Sequence, residues 1–205
     1  MYKKFSFPNN NYKIMKQGGK ILKATGVVRR IDDLGRIVIP KEIRKTLRIK
    51  EGDPLEIFTE KSGEVILKKY SPIGELSEFA TGYAETLAKT TGHIACITDK
   101  DTVIAVSGGS KKEFLEQNLS KELEEVMDNK EVYTSSNNNE TSLPITGNDN
   151  KDKQYNSQVI YPIISQGDVI GSVILISKDQ DTKMGDSEIK VVQSAAGFLG
   201  SQMDI

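Results

Sequence analysis

Residues 29–50 read RRIDDLGRIVIPKEIRKTLRIK, and this stretch holds every arginine of the chain: Arg29, Arg30, Arg36, Arg44 and Arg48. The rest of the 205 residues take their positive charge from lysine. The planar guanidinium of arginine binds phosphate through two parallel hydrogen bonds, which the ammonium of lysine cannot do. The stretch is therefore a candidate contact surface for a polyanion. A solvated surface balanced by acidic neighbours is the alternative that charge alone leaves open.

Charge is distributed unevenly along the chain. Residues 1–22 carry five lysines and no acidic residue, and residues 23–70 carry twelve basic and eight acidic residues. Residues 71–205 carry eleven basic and twenty-one acidic residues, a net charge of −10. A basic front and an acidic back indicate two units with different partners, and only the front would attract a polyanion.

Composition excludes several classes of protein. No apolar run approaches the roughly 18 residues that a membrane span needs, and no signal peptide is recognisable, so we expect no membrane partner. The single Cys96 cannot form an internal disulfide, which predicts a reducing compartment and a cytoplasmic location. One cysteine and one histidine offer no metal-ligand cluster, so we predict neither a metal nor a cofactor.

Residues 1–22 are rich in asparagine and lysine and lack a sustained period, which is typical of a disordered basic tail. The genetic code offers a second interpretation. Gln17-Gly18-Gly19 can be encoded by a ribosome-binding sequence, and Leu22 can be encoded by TTG, an alternative bacterial start codon. We therefore expect translation to begin at Leu22.

The basic module that follows reads as short β-strands around one helix. We predict strands over residues 24–31 and 36–39, joined by a turn in which Gly35 takes a positive φ. Pro40 suits the first position of a helix, on which Ile43 and Leu47 mark the buried side. A hairpin is predicted from strands 55–59 and 64–69. Because so small a unit buries a marginal core and has open strand edges, we expect dimerisation by strand exchange.

The stretch ATGVVRRIDDLGRIVIPKEIRKTLRIKEGDPLEIF, followed by GEVILKKYSPI, resembles the swapped-hairpin DNA-binding domain of the AbrB family. The resemblance implies that two chains interleave their hairpins into one β-barrel dimer whose basic face docks on double-stranded promoter DNA. The DNA-contacting positions of the family fall on Arg29, Arg36, Arg44 and Lys45, with Arg30 and Arg48 as adjacent candidates. Lys45 can pair with a phosphate without a bidentate contact. Arg48 alternatively complements the helix dipole.

The acidic module alternates helices and strands. Apolar spacing predicts a helix over residues 73–90 and a final helix over 185–203. Between them we predict a strand pair at residues 93–98 and 102–107 and a second pair at 157–164 and 169–177. Two short helices are predicted at residues 111–115 and 120–127, and a long, partly mobile loop at 129–156. This order resembles a GAF domain, which has a central antiparallel sheet with helices on one side. The whole chain is thus expected to be α+β.

An AbrB-type module followed by such a domain, with the patches ITDKDTVIAVSGGSKKEFL, GDVIGSVILISKDQ and QSAAGFLGSQM, resembles a sporulation regulator of endospore-forming bacteria. The resemblance implies a DNA-binding transcription regulator, activator and repressor, associated with the nucleoid of the forespore. The apolar stripes on the helices of residues 73–90 and 185–203 suit pairing between chains, which would join two swapped dimers into a tetramer. The GAF-like domain would either sense an unknown small ligand or serve assembly alone. We place the basic tail at residues 1–22, the AbrB-type domain at 23–72 and the GAF-like domain at 73–205.

No residue cluster predicts catalysis. Ser107-Gly108-Gly109-Ser110 lacks the Gly-Lys-Ser/Thr ending of a phosphate-binding loop and reads as a turn. His93 has no identifiable nucleophile or carboxylate partner, and Cys96 reads as a buried small residue. Asp99 and Asp101 favour ordinary turn chemistry, with a weak cation site as the alternative.

Two rival functions stay open. One is a swapped-hairpin antitoxin, although such proteins usually end in a disordered segment, whereas this back half is periodic. The other is a ligand-binding GAF protein without a DNA function.

Overall fold

The chain divides into two compact units, residues 1–51 and 52–205, in the computed structural model. The structure describes residues 14–17, 20–23, 26–61, 63–75, 77–136, 142–149 and 155–203. Contacts within one chain thus place the hairpin of residues 55–69 with the C-terminal unit. The predicted domain bounds, 23–72 and 73–205, stay a prediction, because the first domain is expected to form from two chains.

The N-terminal unit contains two short strands and one short helix. Strands β1 (Ile14–Gln17) and β2 (Lys20–Lys23) pair antiparallel, and helix α1 spans Lys41–Thr46. The expectation of a structureless tail is therefore wrong for these two strands. The sequence between them is Gly18-Gly19, a pair that favours tight hairpins and that the tail interpretation overlooked.

The two strands predicted before and after the turn are not formed by the chain on its own. Residues 26–31 and 36–40 lie in no strand, and Leu47, predicted to be buried, is 54% exposed. The other exposed apolar side chains of this unit are Val27, Val28, Ile31, Leu34, Ile37 and Val38. A strand exists only with a partner for its backbone N–H and C=O groups. Among the described residues, no other strand pairs with these two segments, so they remain irregular.

A two-stranded hairpin opens the C-terminal unit and confirms the prediction for this segment. Strand β3 (Leu55–Thr59) pairs with β4 (Val65–Lys69), with Leu55 opposite Lys69 and Thr59 opposite Val65. Its exposed apolar side chains are Ile57, Phe58, Val65 and Leu67. The hairpin therefore also presents an apolar surface.

Five antiparallel strands form the main sheet, in the order β6-β5-β9-β8-β7. Their bounds are Ile94–Thr98 (β5), Val103–Ser107 (β6), Tyr133–Ser136 (β7), Ser157–Ser165 (β8) and Asp168–Ser177 (β9). Strand β9 lies in the centre and is buried at every position except Asp168. The central antiparallel sheet is thus confirmed.

Helices cover both faces of this sheet, whereas the sequence predicted them on one side. The helices are α2 (Pro72–Glu75), α3 (Ser77–Thr91), α4 (Lys111–Phe114), α5 (Lys121–Asp128) and α6 (Asp186–Ser201). Helices α3 and α6 pack on one face, and α4 and α5 pack on the other. Strands β8 and β9 lack polar alternation, so both of their faces require a cover. Among the described residues, none of the helices has the length and apolarity required to span a bilayer.

Within the predicted loop of residues 129–156, the described residues 129–136, 142–149 and 155–156 include a strand and packed side chains. Residues 133–136 form β7, which pairs with β8, and Ile145 and Thr146 are buried. The Oγ of Ser120, at the start of α5, donates to the carbonyl of Pro144 at 2.5 Å. The polar composition of this segment could not distinguish the two structures, because serine and threonine are common both in edge strands and in loops. Residues 137–141 and 150–154 lie outside the described part.

Two glycines on helix α6 test how closely this helix approaches the sheet. A Cβ at Gly200 would collide with the backbone carbonyl of Ile164 on β8, whereas a Cβ at Gly197 would meet nothing within 4 Å. We expect Gly200→Ala to lower the free energy of unfolding by about 1–3 kcal/mol or more, because backbone cannot move aside cheaply. Gly197→Ala should be neutral or raise it by up to about 1 kcal/mol, from helix propensity. Urea denaturation of both variants measures the difference, and equal effects would contradict the close approach.

Candidate nucleic-acid interface

A tight turn separates the first two predicted DNA-contacting arginines from the third. The Oδ1 atom of Asp32 accepts from the backbone N–H groups of Leu34 at 3.0 Å and Arg36 at 2.8 Å. The N–H of Asp32 donates to the carbonyl of Arg36 at 3.0 Å, and Gly35 has the predicted positive φ, at 76°. Because the turn reverses the chain, residues 29–31 and 36–38 lie on its two sides.

Asp32 also fixes the side chain of Arg36. The Nε atom of Arg36 donates to Oδ2 of Asp32 at 2.8 Å. The backbone and side-chain hydrogen bonds from Arg36 hold the pKa of Asp32 below its ordinary value. Both residues are exposed, so the pair contributes little to stability. Its effect is to orient the guanidinium, and the spacing Asp-x-x-Gly-Arg could have indicated this role.

Helix α1 carries Arg44 and Lys45 in its last turn and ends in a strained arginine. Pro40 is the residue that precedes the helix, not its first member as predicted. The N–H of Ile49 donates to the carbonyl of Arg44 at 2.8 Å, and the N–H of Arg48 donates to the carbonyl of Lys45 at 3.4 Å. This pattern favours glycine at position 48, where φ is 52°. A side chain in that conformation costs about 1–2 kcal/mol, so the backbone does not account for an arginine there.

The six predicted positions all lie in one small basic unit. Arg29, Arg30, Arg36, Lys45 and Arg48 are exposed, and Arg44 is half-buried. Residues 26–51 carry eight basic and four acidic residues. The unit therefore presents an excess of exposed cations, with acidic neighbours that orient at least one of them.

Sequence reasoning missed a charged junction in the C-terminal unit. At the end of β4, the Nζ of Lys69 lies 3.1 Å from Oδ2 of Asp53 and 2.6 Å from Oδ2 of Asp101. Beside it, the Oγ of Ser71 donates to Asp99 at 3.1 Å. The junction links the β3–β4 hairpin to the β5–β6 turn. The sequence offered one signal, because Asp99 and Asp101 had a weak cation site as their alternative interpretation. In the structure, the cation beside Asp101 is the ammonium of Lys69.

Asp99 confirms the predicted turn chemistry. Its Oδ1 accepts from the backbone N–H groups of Asp101 at 2.8 Å and Thr102 at 2.6 Å. These bonds hold the β5–β6 turn in the shape that presents Asp101 to Lys69. The carboxylate that organises the turn thus also supports the junction.

An aromatic cluster lies on the helical layer formed by α3 and α6. The rings of Phe79, Tyr83 and Phe198 lie 5.8–6.0 Å apart between centroids. Phe79 and Phe198 are each 42% exposed. Aromatic rings exposed together on a folded domain are typical of an interaction surface.

His93 and Cys96 occupy the positions predicted for them. His93 lies between α3 and β5, and Cys96 is fully buried in β5. Burial, and then the charge of Asp149, raises the pKa of the Cys96 thiol, which disfavours the reactive thiolate. Within the described ranges, no group of three or more His, Cys, Asp or Glu side chains could hold a metal ion.

Two family models match this chain. Residues 75–204 match "Stage V sporulation protein T C-terminal, transcription factor", and residues 28–75 match "Antidote-toxin recognition MazE, bacterial antitoxin". The stage V sporulation protein T of Bacillus subtilis is 54% identical over 183 residues, which are 89% of this chain and 99% of that protein. The transition state regulatory protein AbrB of Bacillus subtilis is 55% identical over 51 residues, 25% of this chain and 52% of that protein.

A solved structure supports the fold of the C-terminal unit. The GAF domain of an Acinetobacter phosphoenolpyruvate-protein phosphotransferase aligns with a TM-score of 0.51 at 15% identity. The alignment covers 62% of this chain and 81% of that domain. At this identity the likeness concerns the fold alone, and it confirms the predicted GAF-like architecture.

The junction yields a prediction for Lys69→Met. Burial lowers the pKa of Lys69, but Asp101 and Asp53 more than compensate, so the pKa is raised. A group with a raised pKa stabilises the fold below its unfolded pKa, about 10.4 for lysine, and loses this effect as pH rises through the folded pKa. Removing the ammonium takes a cation from between two carboxylates at a half-buried site, so we expect a loss of about 1 kcal/mol at neutral pH.

Urea denaturation of parent and Lys69→Met at several pH values measures this effect. The difference between them should shrink as pH rises from about 10.4, the unfolded pKa, through the higher folded pKa, above which the folded parent also lacks the ammonium. Lys68→Met, one position earlier on the exposed side of β4, is the matched control and should change little. A loss that is independent of pH would show that the ion pairs are not its cause.

Proposed function

The chain belongs to the stage V sporulation protein T family, and from this premise we propose that it is a DNA-binding transcription regulator that acts in sporulation. The N-terminal basic module grips double-stranded promoter DNA, and the GAF-like C-terminal domain assembles the regulator and senses a small ligand. The observation that carries the proposal is the placement of all five arginines within residues 29–48 of the basic module. The 55% identity to AbrB over 51 residues supports it.

We assign the DNA contacts to Arg29, Arg30, Arg36, Arg44, Lys45 and Arg48. Arginine can make bidentate contacts with phosphate or with the O6 and N7 atoms of guanine, whereas Lys45 is suited to phosphate alone. Asp32 holds Arg36 in one orientation, which lowers the entropy lost when this side chain meets DNA. Phosphate contacts would set the register, and groove shape with a few base contacts would give sequence preference.

A swapped dimer completes the basic module. Apolar side chains of residues 26–40 and of the β3–β4 hairpin are exposed in the single chain, and residues 26–31 and 36–40 form no strand there. A second copy would bury these side chains and draw these segments into strands, which is the arrangement that the AbrB resemblance implies. Dimerisation also doubles every DNA-contacting cation.

The aromatic cluster of Phe79, Tyr83 and Phe198 favours a second interface, between C-terminal domains. Pairing of these helical layers would join two swapped dimers into a tetramer. Two swapped basic modules would then act together on DNA, and an effector bound to the C-terminal domain could alter their spacing.

We place this regulator in the cytoplasm of the forespore, in association with the nucleoid, and propose both activation and repression. No catalytic step is assigned, because the family is described as a transcription factor and Cys96 and His93 have structural positions. The match to the MazE antitoxin model favours an antitoxin as a second candidate. That match ends at residue 75, however, and the remainder of the chain carries a five-stranded sheet domain in place of a toxin-wrapping tail.

The salt dependence of DNA binding tests the proposal. Affinity of the full chain for promoter DNA should fall steeply with salt, and each neutralised phosphate contributes about −0.9 to the slope of log affinity against log salt. Because the dimer carries each residue twice, Arg36→Ala and Arg44→Ala should each flatten the slope by about 1.8. Fluorescence anisotropy across a salt series gives both slopes.

Lys121→Ala is the matched control, since it removes one exposed cation from helix α5 of the acidic domain. It should leave the slope unchanged. Circular dichroism and sedimentation must show that all variants fold and dimerise as the parent does. Binding that is absent, insensitive to salt, or equally weakened by Lys121→Ala would overturn the proposed interface.

The tetramer is tested by Phe198→Asp. A carboxylate in the centre of the aromatic cluster would be desolvated without a partner, so the interface between C-terminal domains should fail. Sedimentation velocity is expected to show a tetramer for the parent and a dimer for the variant. Val132→Asp, at a residue of similar exposure outside the cluster, should remain tetrameric. A parent that is already dimeric would contradict the tetramer.

A further inference from the structure

Helix α1 ends in a complete hydrogen-bonded motif that has an arginine at its central position. Leu47 closes the helix, so Arg48 and Ile49 are the first two residues beyond it. The bond from the N–H of Ile49 to the carbonyl of Arg44 spans the whole turn, and the bond from Arg48 to Lys45 lies inside it. This pair of nested bonds is the Schellman motif, in which the first residue beyond the helix takes the left-handed conformation.

The position that Arg48 occupies is one that favours glycine. Its φ of 52° brings the Cβ atom of any L-residue close to the following carbonyl oxygen, whereas glycine has no Cβ and avoids this conflict. The motif itself uses only backbone groups, and glycine supplies these equally well. The end of α1 therefore accounts for the conformation of residue 48 but disfavours a side chain there.

In the described part of the chain, three other residues with a side chain have a positive φ, and each belongs to the sheet domain. Gln166 precedes Gly167 in the two-residue turn between β8 and β9, where both positions favour a positive φ. The N–H of Glu116 donates to the carbonyl of Val103 on β6 at 2.9 Å. Lys130 holds the same place in the same motif at the end of α5. Its Nζ donates to the carbonyl of Gly167 at 2.6 Å, so its side chain fixes the β8–β9 turn.

Arg48 lies among the cations proposed to meet DNA. It is exposed, and Arg44 and Lys45 precede it in the last turn of α1. A cation that complements the helix dipole is the ordinary explanation, but Arg44 and Lys45 provide this charge already, from positions inside the helix. The negative end of a helix repels anions, so a DNA phosphate that approaches it requires cations beside the last carbonyls. Arg48 follows these carbonyls directly.

We propose that Arg48 serves DNA recognition although it destabilises α1: its guanidinium binds paired acceptor atoms of DNA, and glycine in its place would give a more stable module that binds DNA more weakly. The inference rests on the regulator function proposed above and decides between the two roles that the sequence left open for this residue. Paired acceptors occur on one phosphate and on the O6 and N7 atoms of guanine. A phosphate contact strengthens binding to any sequence, whereas a guanine contact adds sequence preference.

Hydrogen exchange of the full chain tests the effect on stability. Arg48→Gly keeps both backbone bonds and removes the strain, so the amides of residues 47–49, corrected for intrinsic rates, should exchange about fivefold more slowly or better. Arg48→Ala keeps the Cβ and its strain but removes the guanidinium, so its exchange should stay within about twofold of the parent. The two variants thus separate the backbone conformation from the charged group.

Fluorescence anisotropy across a salt series tests the contact with DNA. Arg48→Gly and Arg48→Ala should both weaken binding to promoter DNA by about tenfold or more, since the dimer carries the residue twice. An equal loss on DNA of unrelated sequence, with a slope flattened by about 1.8, assigns the contact to phosphate. A loss confined to promoter DNA assigns it to guanine. Lys130→Gly makes the same change at the equivalent position of α5 and should bind as the parent does.

The proposal is overturned if Arg48→Gly binds DNA as tightly as the parent, or if Lys130→Gly weakens binding equally. Unchanged or faster exchange in Arg48→Gly, or clearly faster exchange in Arg48→Ala, would also overturn it, since the side chain would then stabilise the fold. Arg36→Ala, measured in parallel, separates the two proposals. Weaker binding by Arg36→Ala with no loss in either Arg48 variant rejects this role of Arg48 and leaves the regulator standing, whereas a parent that does not bind DNA rejects both.

Discussion

Strand β9 is the element on which the C-terminal domain depends. It lies at the centre of the sheet and is buried on both faces, so the side chains of Ile174 and Ile176 pack against one helical layer and those of Val173 and Leu175 against the other. Burial of such side chains contributes roughly 1.5–3 kcal/mol each relative to exposure. Because both faces are apolar, both must be covered, and this requirement brings α3, α6, α4, α5 and the segment of residues 142–149 together.

The N-terminal unit is subject to the opposite condition. Helix α1 has no buried residue, and the apolar side chains around the Asp32–Gly35 turn are exposed. A segment that cannot bury its apolar surface or pair its backbone in one chain gains stability only by association. Under the proposed strand exchange, folding and dimerisation of the basic module would be one event, and each cation would be present twice.

Among the described residues, the β3–β4 hairpin contributes no side chain to either hydrophobic core, and charged contacts link it to the sheet domain. Lys69 joins the end of this hairpin to the β5–β6 turn, which Asp99 holds in shape. Charged contacts at a half-buried site are sensitive to small displacements, since their energy depends on distance and on access of water. The position of the β3–β4 hairpin therefore depends on the shape of the β5–β6 turn.

The sequence by itself determined the elements that depend on local pattern. Apolar period located helices α3 and α6 and strands β5, β6, β8 and β9 to within a few residues, and the motif around Asp32-Asp33-Leu34-Gly35 located the turn. The cluster of arginines marked the basic module. Only the tertiary structure decided which groups meet across long sequence distances: Lys69 with Asp101, and β7 with β8. Polar residues carry no period, so their partners emerge only when the chain has folded, and strands at residues 26–31 and 36–39 could not form where one chain offers no partner backbone.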